Sequence, residues 1–212
     1  MDENKEINEL DDEAVTDAAE SVENVDGKKK KSFGRELLEW CEAIVVAVLV
    51  ALVIRSFVFT VVRVDGSSMD HTLANNDRLI VWRLGYEPKQ GDIVIFEPNI
   101  PENRGKGLLD RIYWVKRVIA VGGQHVEIDY STNSVYVDGV KLDEPYLPET
   151  MNPPADTSTI RSIDIPEGQI FLMGDNRNNS RDSRYIGPVD EDDVVGTAVL
   201  RFWPFTSFGG VD

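Results

Sequence analysis

Three stretches of this 212-residue chain hold side chains whose types could do chemistry. In "VDGSSMDHTL", Val64 to Leu73, two hydroxyls follow a glycine. A serine hydroxyl becomes a nucleophile only when a neighbouring base takes its proton. His71 lies three residues beyond Ser68, but nothing singles out a carboxylate to orient it in a Ser-His-Asp arrangement. A second candidate base is Lys116 in "YWVKRVIAV". Strand alternation would put Trp114, Lys116, Val118 and Ala120 on one face. An amine flanked there by Trp and Val is a candidate for desolvation, which would lower its pKa, and a lysine neutral near pH 7 can serve as a general base. The third stretch, "GDNRNNSRDSRYIGPV" from Gly174 to Val189, gathers polar groups with no core pattern. Each has a plainer reading. Gly-Ser-Ser is common turn chemistry, the lysine suits an exposed edge strand, and the polar run suits a solvated turn. Residue types alone leave both readings open.

The elements that must position these groups are legible from composition and pattern. Net charge is −16, and it is uneven: residues 1–26 hold eleven acids against Lys5 alone, a balance of −10, which leaves −6 for residues 27–212. The acidic segment has no aromatic residue and cannot bury enough apolar surface to offset its ordering entropy, so it is expected to be disordered. Lys28–Lys31 follow, and then "LLEWCEAIVVAVLVALVIRSFVFTVV" from Leu37 to Val62. Its uncharged centre, Ala43 to Ile54, is short, but Trp40, Phe57 and Phe59 extend the apolar span to about 20 residues, a bilayer's requirement. No small-residue cleavage site follows, and lysines on the N-terminal side predict a cytoplasmic N-terminus. The expected organisation is a tail with a basic juxtamembrane run over 1–36, a single-pass anchor over 37–62 and an extracytoplasmic domain over 63–212.

That domain reads as β. "DRLIVWRL", "GDIVIF", "IYWVKRVIAV", "HVEI", "SVYVDG", "QIFLMG" and "GTAVLRFW" are short β-branched and aromatic runs bounded by turn residues. Asp138-Gly139 predicts a hairpin turn. Glu97–Asp110 and Leu147–Ser162 read as loops. The single cysteine, Cys41, excludes an intramolecular disulfide framework, and two histidines make a poor zinc ligand set. There is no phosphate-cradling glycine motif and no basic stripe, which gives no support to a nucleotide or nucleic-acid role.

After one N-terminal anchor, "GSSMDHTL", "GDIVIF", "YWVKRVIAV" and "GDNRNNSRDSR" occur in that order. In these blocks the chain resembles the bacterial type I signal peptidases, membrane-anchored serine proteases that remove signal peptides from exported proteins. The resemblance implies a mainly β catalytic domain of that family's type, no cofactor and no metal. Its partners would be secretory preproteins and the lipid bilayer, not nucleic acid. Ser68, immediately before Met69, would be the nucleophile rather than Ser67, and Lys116 the general base of a Ser-Lys dyad. The Ser68 backbone N–H would help hold the oxyanion, with Met69 beside it at the substrate position. Where many members carry a Ser or Thr two residues before the nucleophile, Gly66 stands, as in relatives from Gram-positive bacteria. The substrate would bind extended along strand edges, with small side chains of Ala-X-Ala type before the cut. Ser180 would hydrogen-bond the Lys116 amine, Asp182 would pair with Arg184, and Asp175 with Arg117.

The chain departs from the family's pattern at His71, where proline is expected. In "RVIAVGGQ", Ala120, Gly122 and Gln124 replace a glycine, a proline and an acid. Two alternatives compete with an active protease. One is a catalytically inactive, membrane-anchored relative that binds peptides or a partner. The other is a self-cleaving repressor-type protease, which also uses a Ser-Lys dyad but carries a DNA-binding domain where this chain has an anchor.

Overall fold

The computed structural model describes residues 33–107, 110–156 and 158–211. The expected disordered tail therefore lies outside the described residues, apart from 33–36. The chain divides into two units, one ending at Leu49 and one beginning at Val50. A helix, α1, runs over Phe33–Phe57. Within it Glu36–Ile54 spans 19 residues at a mean hydropathy of 2.5 with none of them buried, long and apolar enough to cross a membrane.

The helix stops short of the expected anchor boundary at Val62. Its last hydrogen bond runs from Val58 N to Ile54 O, and Phe59–Arg63 is already a strand, β1. "FTVVR" is aromatic and β-branched, and it has a partner: it pairs antiparallel with β2, Arg78–Trp82. The Phe59 ring sits edge-on to Trp82, with centroids 4.9 Å apart. Phe59 thus belongs to the sheet and not to the apolar helix.

The fold is mainly β. After β2 come β3 (Ile93–Phe96), β4 (Trp114–Val121), β5 (His125–Asp129), β6 (Ser134–Val137), β7 (Val140–Lys141), β8 (Ser162–Asp164) and β9 (Gln169–Met173). A short helix α2 (Ser183–Ile186) precedes β10 (Val189–Asp190), β11 (Val194–Trp203) and β12 (Gly209–Gly210). One sheet has the order β1-β2-β11-β3-β4-β9-β10, with β12 on β11, and the other is β7-β6-β5-β8. Asp138 and Gly139 both have positive φ, 51° and 76°, and turn the chain between β6 and β7 as the sequence predicts.

The large sheet is buried on both faces along its middle strands. Ile93 and Ile95 pack with Met69, Leu73, Leu79 and Val81, while Val94 and Phe96 pack with Val118, Ile170 and Leu172. Phe171 and Met173 meet Val126, Ile128, Val135 and Val137 of the small sheet. Two-faced burial is why these strands read as continuous apolar runs instead of alternating ones. The expected face Trp114, Lys116, Val118, Ala120 holds only as far as Val118. A register shift against β9 between Val118 and Ala120 turns Ala120 into the same cluster as Ile119.

Candidate active site

Ser68 sits in a tight turn directly after β1. Gly66 enters it at φ 100°, a conformation that favours glycine, and its N–H donates to Asn75 Oδ1 at 3.1 Å. Asp70 N to Ser67 O and Leu73 N to Met69 O close the turn. Met69 and Leu73, at 1% and 0% exposure, bolt it into the core. The turn therefore holds its hydroxyls on a fixed backbone.

Lys116 approaches from β4. Its Nζ donates to Ser68 Oγ at 2.8 Å and to the Val115 carbonyl at 2.9 Å. The residue is 4% exposed, and Nζ lies 5.6 Å from the centre of the Trp114 ring. Burial lowers the amine's pKa from 10.5 to about 8, against the opposing pull of Asp182 and Asp175 and with a smaller push from Arg184. An amine that loses its proton near pH 8 can take one from a hydroxyl at hydrogen-bond distance. His71 is exposed, with φ 78°, and no hydrogen bond joins it to Ser68. The geometry brings lysine, and not histidine, to the serine.

The run from Gly174 to Val189 wraps the other side of the pair, and most of its charges are buried. Asp182 is 0% exposed. Its carboxylate accepts from Gly174 N at 3.0 Å, from Arg184 Nε at 2.8 Å and from Arg184 Nη2 at 2.9 Å. Arg117 holds Asp175 through two parallel bonds, Nε to Oδ1 at 2.9 Å and Nη2 to Oδ2 at 2.8 Å. Arg117 and Lys116 leave β4 on opposite faces, as alternation requires. Ser180 differs from the expectation. Its hydroxyl is buried without a hydrogen-bond partner, so the bond to Lys116 is not made. The amine's contacts go to Ser68 Oγ and to its neighbour's carbonyl instead.

Several residues that stitch the site together carried no assignment in the sequence. Asn176 N donates to Ser68 O at 3.1 Å, and its Nδ2 to Ser67 O at 3.1 Å. Asn179 Nδ2 donates to Ser67 Oγ at 2.7 Å, and Thr72 Oγ1 to Asp175 Oδ2 at 2.5 Å. Arg177 is buried against Glu144, whose other neighbour Tyr146 stacks over Arg117 at 3.9 Å. The asparagines were visible as short donors in a polar run. Glu144 and Tyr146 gave no signal, because they lie about 30 residues upstream beside a stretch that reads as loop.

Ser68 and Lys116 open onto a cleft of about 380 Å³. One wall is the end of β1 and the turn, Val62 to Met69, and the other is Tyr113 to Lys116, with Asn179 and Arg181 at the rim. Both walls have unpaired strand margins. β1 is the edge of its sheet, and β9 pairs with β4 only from Arg117 onward.

Known proteins match this chain over most of its length. The family described as "Signal peptidase, peptidase S26" matches residues 37–203. Signal peptidase IB of Staphylococcus aureus is 36% identical over 190 residues, covering 82% of this chain and 93% of the relative. Signal peptidase I of Bacillus licheniformis is 37% identical over 194 residues, covering 87% and 98%. A crystal structure of a signal peptidase I from Enterococcus faecalis is 29% identical, covering 54% of this chain and 98% of that one, at a TM-score of 0.41. The chain belongs to the signal peptidase family, peptidase S26, and is a hydrolase of the serine-peptidase class.

Proposed function

We propose that this protein is a membrane-anchored endopeptidase that cuts signal peptides from exported preproteins with a Ser68–Lys116 dyad. The observation that carries the reading is the 2.8 Å contact between a turn serine and a buried lysine whose pKa is lowered to about 8. Neutral Lys116 takes the Ser68 proton as Oγ attacks the scissile carbonyl, and its ammonium gives that proton to the departing nitrogen, which leaves an acyl-enzyme, a free amine and a neutral lysine. The same lysine then activates the water that releases the acyl group. The Ser68 N–H holds the developing oxyanion, and Gly66 offers no side-chain donor to assist it.

The two unpaired strand margins suit an extended peptide that adds as a strand between them. Small residues of Ala-X-Ala type before the cut would let that peptide lie flat over Val62 and Val64. Buried Asp182, Arg184, Asp175 and Arg117 act by position, fixing the loop that covers the lysine. The helix over Glu36–Ile54 would anchor the chain once through the bilayer, with the lysine run on the cytoplasmic side and the β domain on the other. The decisive assay compares full-length wild type with Ser68→Ala on a model preprotein bearing an Ala-X-Ala site. Cleavage by wild type alone is expected. Equal cleavage by both would remove Ser68 from the chemistry, and none by either would favour an inactive, peptide-binding relative.

A further inference from the structure

The cleft is basic in a protein that is otherwise acidic. Residues 27–212 carry a net −6, yet the charged side chains lining the cleft are Arg63, Lys116 and Arg181 against Asp65 alone. Arg63 and Arg181 are exposed, and among the described residues neither is in an ion pair. Arg63 also stands directly opposite Arg78 in the β1–β2 ladder. Like charges directly opposite each other on paired strands repel, and Arg78 is exposed as well and in no ion pair among the described residues. A cleft lined by one sign of charge concentrates ligands of the other.

We infer that Arg63 and Arg181 set a specificity for substrates that place a carboxylate side chain close to the cut. This rests on the reading of the cleft as the peptide-binding site. A Glu or Asp of the bound strand would meet guanidinium groups that no carboxylate among the described residues pairs with, and it would relieve the Arg63–Arg78 repulsion. A substrate lysine there would add to that repulsion. Arg181 also lies 5.8 Å from the centre of the Trp114 ring, the ring that flanks the Lys116 amine. A carboxylate on Arg181 is thus neutralised beside the general base instead of drawing its proton back. Neither arginine need touch the reacting atoms; their part is selection.

The test uses the full chain in detergent and a peptide series with a fixed Ala-X-Ala core. Each other position on either side of the cut is replaced in turn by Glu, Gln or Lys. The reading is the Glu-to-Gln ratio of kcat/KM, taken within each enzyme so that any general loss in a variant cancels. At one or more positions wild type should favour Glu by roughly two- to fivefold, the scale of an exposed ion pair, with Lys below Gln. Added salt should shrink the ratio. Arg63→Gln or Arg181→Gln should bring it to about one, and Arg181→Glu should invert it. A ratio near one at every position in wild type overturns the inference, as does a ratio that survives both Gln variants. If the variants weaken binding to anionic lipid vesicles while the ratio holds, the arginines serve headgroups and the inference fails. Failure of wild type to cut even the Gln peptides would instead sink the reading of the cleft, and this inference with it.

Discussion

Lys116 Nζ reaches Ser68 Oγ at 2.8 Å from a position that is 4% exposed, so the amine meets its hydroxyl where water scarcely reaches. Desolvation does two things there at once. It brings a usable fraction of the neutral amine into reach near physiological pH, and it leaves the charged form without hydration. The two acids nearest in effect, Asp182 and Asp175, oppose that shift, yet each is already bound to its own arginine. The ion pairs spend the carboxylates elsewhere and leave burial to decide the lysine's charge.

The first prediction is a pH profile. With Lys116 at about 8, the active neutral form is a minority below pH 8 and dominant above it. kcat/KM on a model preprotein should rise about tenfold per pH unit on the acid side and level off above pH 8. Lys116→Ala should abolish cleavage at every pH. An acid limb that moves in His71→Ala and not in Lys116 variants would transfer the base role to histidine.

Stability should rise with pH as well, but in a higher window. The folded pKa of Lys116 lies below its unfolded value of 10.5, so between about pH 8 and 10.5 the unfolded chain holds the extra proton. The lysine's contribution to stability therefore rises with pH across that window and is unfavourable below it. Lys116→Met removes the buried amine while keeping its length. It should stabilise the fold at pH 7 by about 1–3 kcal/mol, a gain that fades toward pH 10.5. Urea melts of both proteins across that range check the sign. A less stable Met variant at pH 7 would show that the lysine supports the fold.

Gly174 offers a test of position without touching the dyad. A Cβ there would fall 2.5 Å from the Ser68 carbonyl oxygen and would also overlap the Ser180 side chain. Ser180 can move, but Ser68 O belongs to the turn that fixes the hydroxyl. Gly174→Ala should therefore cut kcat by about 100-fold, the penalty of a misplacement near 1 Å, with KM little changed. Steady-state kinetics decide it, and normal kcat would mean that the turn tolerates displacement.

The buried pairs should behave differently. Asp182→Ala leaves Arg184 charged, buried and stripped of its carboxylate, at a cost of about 3–5 kcal/mol. It also frees Gly174 N and the loop that covers the lysine. Thermal melting and cleavage should fall together. A stable but inactive variant would assign Asp182 a direct part in the chemistry.

What the sequence made legible and what it hid divide along one physical line. Local signals held. The runs from "GDIVIF" to "QIFLMG" became strands, and Asp138-Gly139 became their turn, because period and turn chemistry reside in adjacent residues. Features created by pairing did not show. Phe59 looked like anchor because its partner Trp82 is remote in sequence, and Ala120 changed face through a register shift against β9. In the site, Ser68 and Lys116 meet across 48 residues, and only family resemblance joined them beforehand. The same resemblance supplied a Ser180–Lys116 bond that the geometry does not make, since an expected partner carries no coordinates of its own.

His71 carries the last prediction. The family's pattern puts proline here, but this backbone has φ 78°, and a proline ring locks φ near −65°. Restoring the family residue should therefore damage this turn. His71→Pro must swing the chain three residues from Ser68, through the segment between Asp70 N–Ser67 O and Leu73 N–Met69 O. The expected cost is about 1–3 kcal/mol in stability, with a larger loss in kcat, because the displacement reaches the hydroxyl. His71→Gly accepts positive φ freely and should keep both activity and melting temperature close to wild type. Paired thermal melts and cleavage rates on the two variants separate backbone from side chain. If proline were tolerated as well as glycine, the left-handed turn would not be a requirement of the working enzyme.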